Sequence, residues 1–283
     1  MKKIKIIADS TCDLSEDIIK KYDISIVPLC ILLDGKSYFD GLEITPDEIF
    51  RWSDENKTTP KTAAITFEKT LEVFKPFMDN GDDIIFFGIS SHMSSTCNVP
   101  RILGAQEDYD RIFVIDSENL STGIGLQVIK AAELAFEGRT AEEIVDMINA
   151  DRAKVRASFV VDTLTFLARG GRCTAITAIM ANTLKLHPMI IVKDGKMGVG
   201  KKYRGRMSVA LSAYVDDLSS QLVNADSKRV FITHSGCEQA IIDLVKEKIE
   251  ALGYFEEILI TQAGGVISSH CGPNTLGVLF YTK

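Results

Sequence analysis

The chain contains 283 residues, of which 46% are hydrophobic, and its 32 Lys and Arg residues against 39 Asp and Glu residues give a net charge of −7. This length and apolar content are enough for a large core in one large or two ordinary domains. No apolar run approaches the roughly 20 residues that cross a membrane, so we expect a soluble protein without stable membrane anchoring. The acidic charge disfavours nucleic acid as a partner.

The N-terminal residues and the spacing of the cysteines predict where the protein is located and whether it has disulfides or a zinc site. Lys2-Lys3 leads directly into a predicted strand, without the apolar region and cleavage site of a secretory signal, so a cytoplasmic location is expected. The cysteines have no Cys-x-x-Cys spacing, which indicates reduced thiols rather than a disulfide framework or a zinc site. They are Cys12, Cys30, Cys97, Cys173, Cys237 and Cys271.

In the first half of the chain, predicted strands and helices alternate, which favours a parallel sheet covered by helices on both faces. Asp34-Gly35 is a strong hairpin signal. Thr45 and Thr140 each begin a capping box, with a glutamate three residues later. The predicted strands are 4–8, 24–33, 84–89 and 112–115, and the predicted helices are 15–22, 45–52, 67–78, 121–136 and 140–152.

The second half has a different rhythm. Asp194-Gly195 predicts an antiparallel hairpin, and Gly264-Gly265 is expected to open a loop. The predicted helices are 164–169, 175–185, 208–222 and 238–252, and the predicted strands are 189–192, 197–202, 230–233, 258–261 and 276–281. We therefore predict an α/β fold with an N-terminal parallel-sheet α/β/α domain over residues 1–155, carrying an inserted hairpin, and a C-terminal α+β domain over residues 156–283.

A cluster of hydroxyl side chains follows the predicted strand 84–89. Ligands of open α/β sheets bind beyond the carboxyl ends of the strands, where the next helix offers free N–H groups. Small hydroxyl residues at this place can bind a carboxylate, phosphate or carbonyl oxygen. The simpler alternative is that Ser94 or Ser95 caps the following helix. The cluster consists of Ser90, Ser91, Ser94, Ser95 and Thr96.

Three other segments match functional motifs only in part. Residues 195–201 have the spacing of a Walker phosphate loop, but Lys202 replaces the required hydroxyl residue and a strand is predicted there instead of a helix. Residues 88–92 resemble a nucleophile elbow that lacks its second glycine. Asp9 and Asp13 are candidates for a metal or phosphoaspartate site, although turn and cap roles fit their spacing better.

Eight segments, in the same order along the chain, resemble the DegV family of bacterial fatty-acid-binding proteins. The resemblance covers essentially the whole chain. The segments are Asp9-Ser-Thr-Cys-Asp-Leu14, Pro60-Lys-Thr62, Ile89-Ser-Ser-His-Met-Ser-Ser-Thr96, Val114-Ile-Asp-Ser117, Val161-Asp-Thr-Leu164, Gly170-Gly-Arg172, Tyr203-Arg-Gly205 and Gly265-Val-Ile-Ser-Ser-His270-Cys-Gly-Pro273.

The resemblance implies a non-enzymatic protein that binds one long-chain fatty acid in a tunnel between two domains. The chain resembles the fatty-acid-binding subunit of bacterial fatty acid kinase. That subunit presents the carboxylate of the fatty acid to a separate ATP-dependent kinase subunit for acyl-phosphate formation. No catalytic residue, metal or cofactor is implied. The residues that match the carboxylate-binding positions are Thr62, Ser94 and His270. The residues expected near the head group or on the partner surface are Arg172, Arg204, Ser95 and Ser269.

The sequence departs from the family pattern at three places. Ala63-Ala64-Ile65 replaces the usual Ser-Gln-Pro and could alter the loop that aims Thr62, Ser95 stands where glycine is common, and Asn274 replaces a glycine. Two alternatives to a kinase-linked binder stay open. One is a stand-alone lipid hydrolase or phosphatase that uses the 90–96 cluster or Asp9, and the other is a lipid carrier without a kinase partner.

Overall fold

The computed structural model describes residues 3–173 and 186–283. Its strands, numbered in chain order, are β1 (Ile4–Asp9), β2 (Ser25–Val27), β3 (Cys30–Leu33), β4 (Lys36–Phe39), β5 (Lys61–Ala63), β6 (Asp83–Gly88), β7 (Ile112–Asp116), β8 (Val155–Val160), β9 (Leu186–Lys193), β10 (Lys196–Arg204), β11 (Ala225–Ser235), β12 (Glu257–Gln262) and β13 (Thr275–Thr282). They form sheets of four, three and six strands.

The helices cover these sheets. In the part of the chain that the structure describes, none is both long and apolar enough to span a bilayer. They are α1 (Glu16–Lys21), α2 (Pro46–Asn56), α3 (Phe67–Asp79), α4 (Asn98–Gln106), α5 (Thr122–Phe136), α6 (Ala141–Asp151), α7 (Thr165–Gly170), α8 (Met207–Leu222), α9 (Gln239–Glu250) and α10 (Gly265–Cys271).

The four-stranded sheet confirms the predicted α/β/α layering of the first half. Its order is β2-β1-β6-β7 and every neighbouring pair is parallel. Side chains such as Ile7 and Phe86 pack on one face with α3 and α4, while Ile6 and Phe87 pack on the other face with α5 and α6. Both predicted capping boxes are present, at Thr45 and Thr140.

The predicted continuous strand over 24–33 is wrong, because the chain breaks into β2 and β3, which join different sheets. The Asp34-Gly35 hairpin is confirmed between β3 and β4, and β5 completes a small antiparallel sheet of order β4-β3-β5. Asp34 and Gly35 both have positive φ, as the turn requires. This small sheet places Thr62, the middle residue of β5, opposite Ile31.

The six-stranded sheet confirms a sheet-rich second half. Its order is β10-β9-β8-β13-β11-β12, with antiparallel neighbours except for the parallel pair β11 and β12. The predicted Asp194-Gly195 hairpin joins β9 and β10, so the Walker-like segment lies in a hairpin and a strand. The predicted helix 175–185 lies outside the described residues.

Helix α5 joins the two large sheets into one packed body. It contacts β1 and β6 on one side and β8 and β13 on the other. Eleven of its fifteen residues are buried, among them Ile124, Leu126 and Ile129. A helix that is apolar around its whole circumference is typical of a position inside the core. The predicted boundary between residues 155 and 156 falls at the start of β8, and the division into two domains there stays a prediction.

The expected loop at Gly264-Gly265 is wrong, since Gly264 is the N-cap of α10 and Gly265 is its first residue. A Cβ at Gly265 would lie 2.6 Å from Ile31 Cδ1 and 2.8 Å from Ile49 Cδ1. Gly265 therefore permits a close approach of the helix to the first half of the chain, whereas a pair of adjacent glycines is more typical of a loop.

We predict that Ile129→Ala lowers the free energy of unfolding by about 2–5 kcal/mol, because it leaves a cavity in a fully buried site between the sheets. Urea unfolding measures the change. Phe136→Ala in the same helix is the control, since that ring is 66% exposed and its loss should cost less than about 1 kcal/mol. Equal losses for the two variants would show that α5 is not the shared core element.

Candidate functional site

A cavity of about 270 Å³ lies where the loop after β6, strand β5 and helix α10 meet. Five of the seven residues proposed from the sequence line it: Thr62, Ser94, Ser95, Arg172 and His270. Its apolar wall includes Leu29, Ile89, Met93, Leu120, Met197 and Ile267. The lining thus combines polar side chains with an apolar wall, a combination typical of ligand pockets.

Thr62 and His270 form the central polar contact of the cavity. Thr62 Oγ1 lies 2.8 Å from His270 Nε2, although the residues are 208 positions apart in sequence. Burial lowers the pKa of His270 to about 4, and the positive charge of Arg172 acts in the same direction. The ring is therefore neutral near pH 7, and the contact joins two uncharged groups.

Ser94 lies in the turn between β6 and α4. Its hydroxyl is 2.9 Å from Thr96 Oγ1, and its backbone N–H donates to Ser90 O. The alternative that Ser94 or Ser95 caps the following helix is wrong, because α4 begins at Asn98 with Cys97 as its N-cap. The Ser94 hydroxyl lines the cavity, which leaves it positioned to bind a ligand.

Ser90, the serine of the elbow-like segment, has another partner. Its side chain is fully buried and its hydroxyl donates to Gly195 O at 2.7 Å. This bond joins the turn of the β9–β10 hairpin to the end of the parallel sheet. Ser90 therefore connects the two halves of the chain.

Arg172 and Ser95 are exposed residues at the edge of the cavity. The Arg172 guanidinium donates to Gly170 O at 2.7 Å. Two other proposed residues do not line the cavity: Arg204 is exposed at the end of β10, and Ser269 is buried in α10 with its hydroxyl donating to Gly265 O at 2.7 Å. The Ser269 hydroxyl is thus bound to its own helix.

The groups that hold α10 in place were not predicted from the sequence. The Gly264 N–H donates to Asp13 Oδ1 at 2.8 Å, and the Gly265 N–H donates to Asp40 Oδ1 at 2.7 Å. Both carboxylates come from the first half of the chain and are buried. The run Asp9 to Leu14 signalled a polar turn, but nothing in the sequence near Asp40 indicated that it reaches a helix more than 200 residues away.

The turn and cap role predicted for Asp9 and Asp13 is confirmed for Asp9. It accepts hydrogen bonds from the Thr11 N–H and hydroxyl and from the Ile89 N–H. Burial raises the pKa of Asp9 to about 6, and burial also raises the pKa of Asp13 and of Asp40. Among the described residues, no group of three His, Cys, Asp or Glu side chains is placed to hold a metal ion.

A second, much smaller cavity of about 20 Å³ continues from the first. The two cavities share Leu120, Ile267 and Cys271 as lining residues. Phe159 and Leu279 of the six-stranded sheet also line the small cavity, together with polar residues such as Thr233. The space beside Thr62 and His270 therefore adjoins the sheet of the second half.

Comparison with known proteins identifies the family. Residues 3–283 match the family model described as "Uncharacterised protein, DegV family". The chain belongs to the DegV family. A DegV domain-containing protein of Caldanaerobacter subterraneus subsp. tengcongensis is 33% identical, and one of Clostridium acetobutylicum is 32% identical, each over 100% of both chains.

Solved structures of similar proteins share the fold. A structure described as fatty acid binding of a DegV family protein from Thermus thermophilus has a TM-score of 0.91 and 31% identity, with 100% of both chains covered. A stearic acid-binding protein from Eubacterium ventriosum has a TM-score of 0.86 and 28% identity, covering 99% of this chain and 98% of its own. These relatives bind fatty acids.

We predict that His270 titrates with a midpoint near pH 4, because burial disfavours its charged form. Between about pH 4 and 6.5 the unfolded state binds this proton and the folded state does not, so the contribution of His270 to stability is lost as the pH falls through that window. Histidine resonances followed by NMR give the midpoint, and His270→Gln assigns the signal. A midpoint at or above 6.5 would contradict the buried, neutral ring.

Proposed function

We propose that the protein binds a long-chain fatty acid between its two halves, taken as domains 1–155 and 156–283, and presents the carboxylate to a separate ATP-dependent kinase in the cytoplasm. The observation that carries the proposal is the contact of 2.8 Å between Thr62 and His270 beside Ser94 in an apolar cavity. This contact places a hydroxyl and an imidazole group beside the apolar wall of the cavity. Fatty acid binding by relatives of the same fold supports it.

The acyl tail supplies most of the binding free energy. Burial of one CH₂ group contributes about 0.8 kcal/mol, so a tail of roughly sixteen carbons supplies on the order of 10 kcal/mol before ordering costs are subtracted. The small inner cavity of about 20 Å³ holds little more than one water-sized group. A long tail therefore requires side chains that line the small cavity, such as Phe159 and Leu279, to move apart.

The carboxylate needs hydrogen-bond donors, because a desolvated charge without partners is very costly. The Thr62 and Ser94 hydroxyls supply them without a fixed positive charge, and the His270 ring assists through its contact with Thr62. A lysine in direct contact would neutralise the oxygen that has to attack the γ-phosphorus of ATP. With neutral donors, that oxygen keeps its charge, and the transfer yields an acyl phosphate and ADP.

Arg172 and Arg204 are proposed for the partner surface. Arg172 is exposed at the cavity edge beside His270, and Arg204 is exposed at the end of β10. Arg guanidinium groups bind phosphate and carboxylate oxygens through paired hydrogen bonds. They suit contact with a kinase, or with the phosphate formed during transfer.

The hydrolase alternative has weaker support. A serine nucleophile needs a base within hydrogen-bond reach, but within residues 3–173 and 186–283 no serine hydroxyl is hydrogen-bonded to a histidine ring, and His270 contacts Thr62 instead. The lipid-carrier alternative shares the same cavity. It is separated from the kinase-linked proposal by whether bound fatty acid becomes phosphorylated when a kinase and ATP are added.

We predict that Thr62→Ala and Ser94→Ala each reduce fatty-acid affinity about 10- to 150-fold, the equivalent of about 1.5–3 kcal/mol for one lost hydrogen bond to a charged group. Binding of oleate to delipidated protein measures the affinity, and mass spectrometry of a solvent extract measures the fatty acid that copurifies. Unfolding in urea checks that the fold survives.

Ser91→Ala is the matched control for these variants. Ser91 belongs to the same hydroxyl cluster but is exposed and does not line the cavity. Its loss should leave affinity unchanged. Wild-type affinity and copurified fatty acid in both Thr62→Ala and Ser94→Ala would remove these hydroxyls from the head-group site, and wild-type protein that carries and binds no fatty acid would refute the binder proposal.

We predict that Arg172→Ala and Arg204→Ala lower acyl-phosphate formation by a cognate kinase at least 5-fold while oleate affinity changes less than 3-fold. Turnover falls because the two arginines are proposed to contact the kinase or the transferred phosphate. Affinity for oleate is retained because neither side chain belongs to the groups that donate hydrogen bonds to the carboxylate. A coupled assay of ADP release measures turnover.

Arg139→Ala is the control for the arginine variants. This exposed arginine lies near Ile4, at the start of β1, and the cavity lies at the opposite, carboxyl end of the parallel strands. Arg139→Ala removes the same positive charge as Arg172→Ala or Arg204→Ala does, but it should leave turnover with the kinase unchanged. Normal turnover in both Arg172→Ala and Arg204→Ala would exclude them from the partner surface.

A further inference from the structure

His270 is held against a residue that has no side chain. A Cβ added at Gly170 would lie 2.2 Å from His270 Nδ1 and 3.1 Å from His270 Cε1. The distance of 2.2 Å is shorter than any that real Cβ atoms show. Gly170 is the last residue of α7 and is buried. The imidazole ring therefore occupies the space that any larger residue at position 170 would fill.

The two ring nitrogens of His270 have different surroundings. Nε2 lies 2.8 Å from Thr62 Oγ1. Nδ1 is buried and has no hydrogen-bond partner among the described residues. Because the ring is neutral, only one nitrogen carries a proton. Nδ1, which lies against Gly170, is therefore left either as an N–H without an acceptor or as a lone pair without a donor.

Buried N–H groups without an acceptor are rarer in proteins than buried acceptors without a donor. A lone pair on Nδ1 also faces the Gly170 backbone, whose Cα–H makes a weak favourable contact with an acceptor. Both considerations place the proton on Nε2.

We propose that Gly170 is a positioning residue for the head-group site: it fixes His270 as the tautomer protonated at Nε2, whose N–H donates to Thr62 Oγ1 and so directs the Thr62 hydroxyl hydrogen toward the ligand carboxylate. This inference rests on the proposed function. A Thr62 oxygen that accepts from His270 has its own hydrogen free to donate. The opposite tautomer would make Thr62 donate to His270 and would turn an oxygen lone pair toward the anion.

The tautomer is measured first in the wild-type protein, which requires no variant to fold. Nitrogen-15 NMR of labelled, delipidated protein at pH 7 separates the two forms, and the inference expects protonation at Nε2 of His270, before and after addition of oleate. Protonation at Nδ1 while oleate binds normally would overturn this inference and leave the proposed function intact. Failure of oleate to bind would instead refute the proposed function, whichever tautomer is found.

A double-mutant cycle tests the role of Gly170. Gly170→Ala should weaken oleate affinity about 10-fold in the wild-type background, because its methyl group displaces the imidazole. In a His270→Ala background the ring is gone and the methyl group has space, so Gly170→Ala should then have no further effect on affinity. Equal effects of Gly170→Ala in both backgrounds would show a merely structural role and overturn the inference.

Gly171→Ala is the neighbouring control. Gly171 has φ +68° and a Cβ there meets nothing within 4 Å, so the substitution adds backbone strain without touching His270. It should lower stability while leaving both the His270 tautomer and oleate affinity unchanged. Should Gly170→Ala fail to fold, the Gly170→Ala/His270→Ala double variant is compared with His270→Ala alone: equal stability and affinity support the inference, and failure of the double variant to fold overturns it.

Discussion

The arrangement of the cavity depends on two hydrogen bonds from the start of α10 to buried carboxylates of the first half. The N–H groups at a helix start have no partner inside the helix, so burying them requires acceptors from elsewhere. Asp13 and Asp40 supply these acceptors to Gly264 and Gly265. Because His270 lies near the other end of this seven-residue helix, the same two bonds determine where the ring meets Thr62.

Three buried carboxyl groups, those of Asp9, Asp13 and Asp40, are held by neutral donors. Asp9 accepts from the Ile89 N–H and from Thr11, and Asp13 and Asp40 accept from hydroxyls and helix amides. Burial raises the pKa of all three, so these donors offset only part of the desolvation cost. The proposed site for a fatty-acid carboxylate uses the same kind of donors. A ligand anion there should likewise remain basic enough to act as a nucleophile.

Local patterns predicted local structure well. The capping boxes at Thr45 and Thr140 and the hairpin turns at Asp34-Gly35 and Asp194-Gly195 were all confirmed, because each is specified by a few adjacent residues. The errors have tertiary causes. The run 24–33 divides between two sheets, and Gly264-Gly265 starts a helix because distant carboxylates accept its amides. The pairing of Thr62 with His270 joins residues 208 positions apart, so only the family resemblance brought them together in advance.

The departure of Ala63-Ala64-Ile65 from the family pattern does not disturb the aim of Thr62. Thr62 pairs with Ile31 in the middle of the small sheet, and Ala63 continues the ladder opposite Cys30. Ile65 is buried, and Thr66 then caps α3 by accepting from the Lys69 N–H. Strand pairing on both sides of Thr62, at Lys61 and at the altered residue Ala63, therefore fixes its backbone, while His270 contacts its hydroxyl from the other side. What orients the hydroxyl is the meeting of β5 with α10, and alanine at position 63 keeps the strand pairing that this meeting requires.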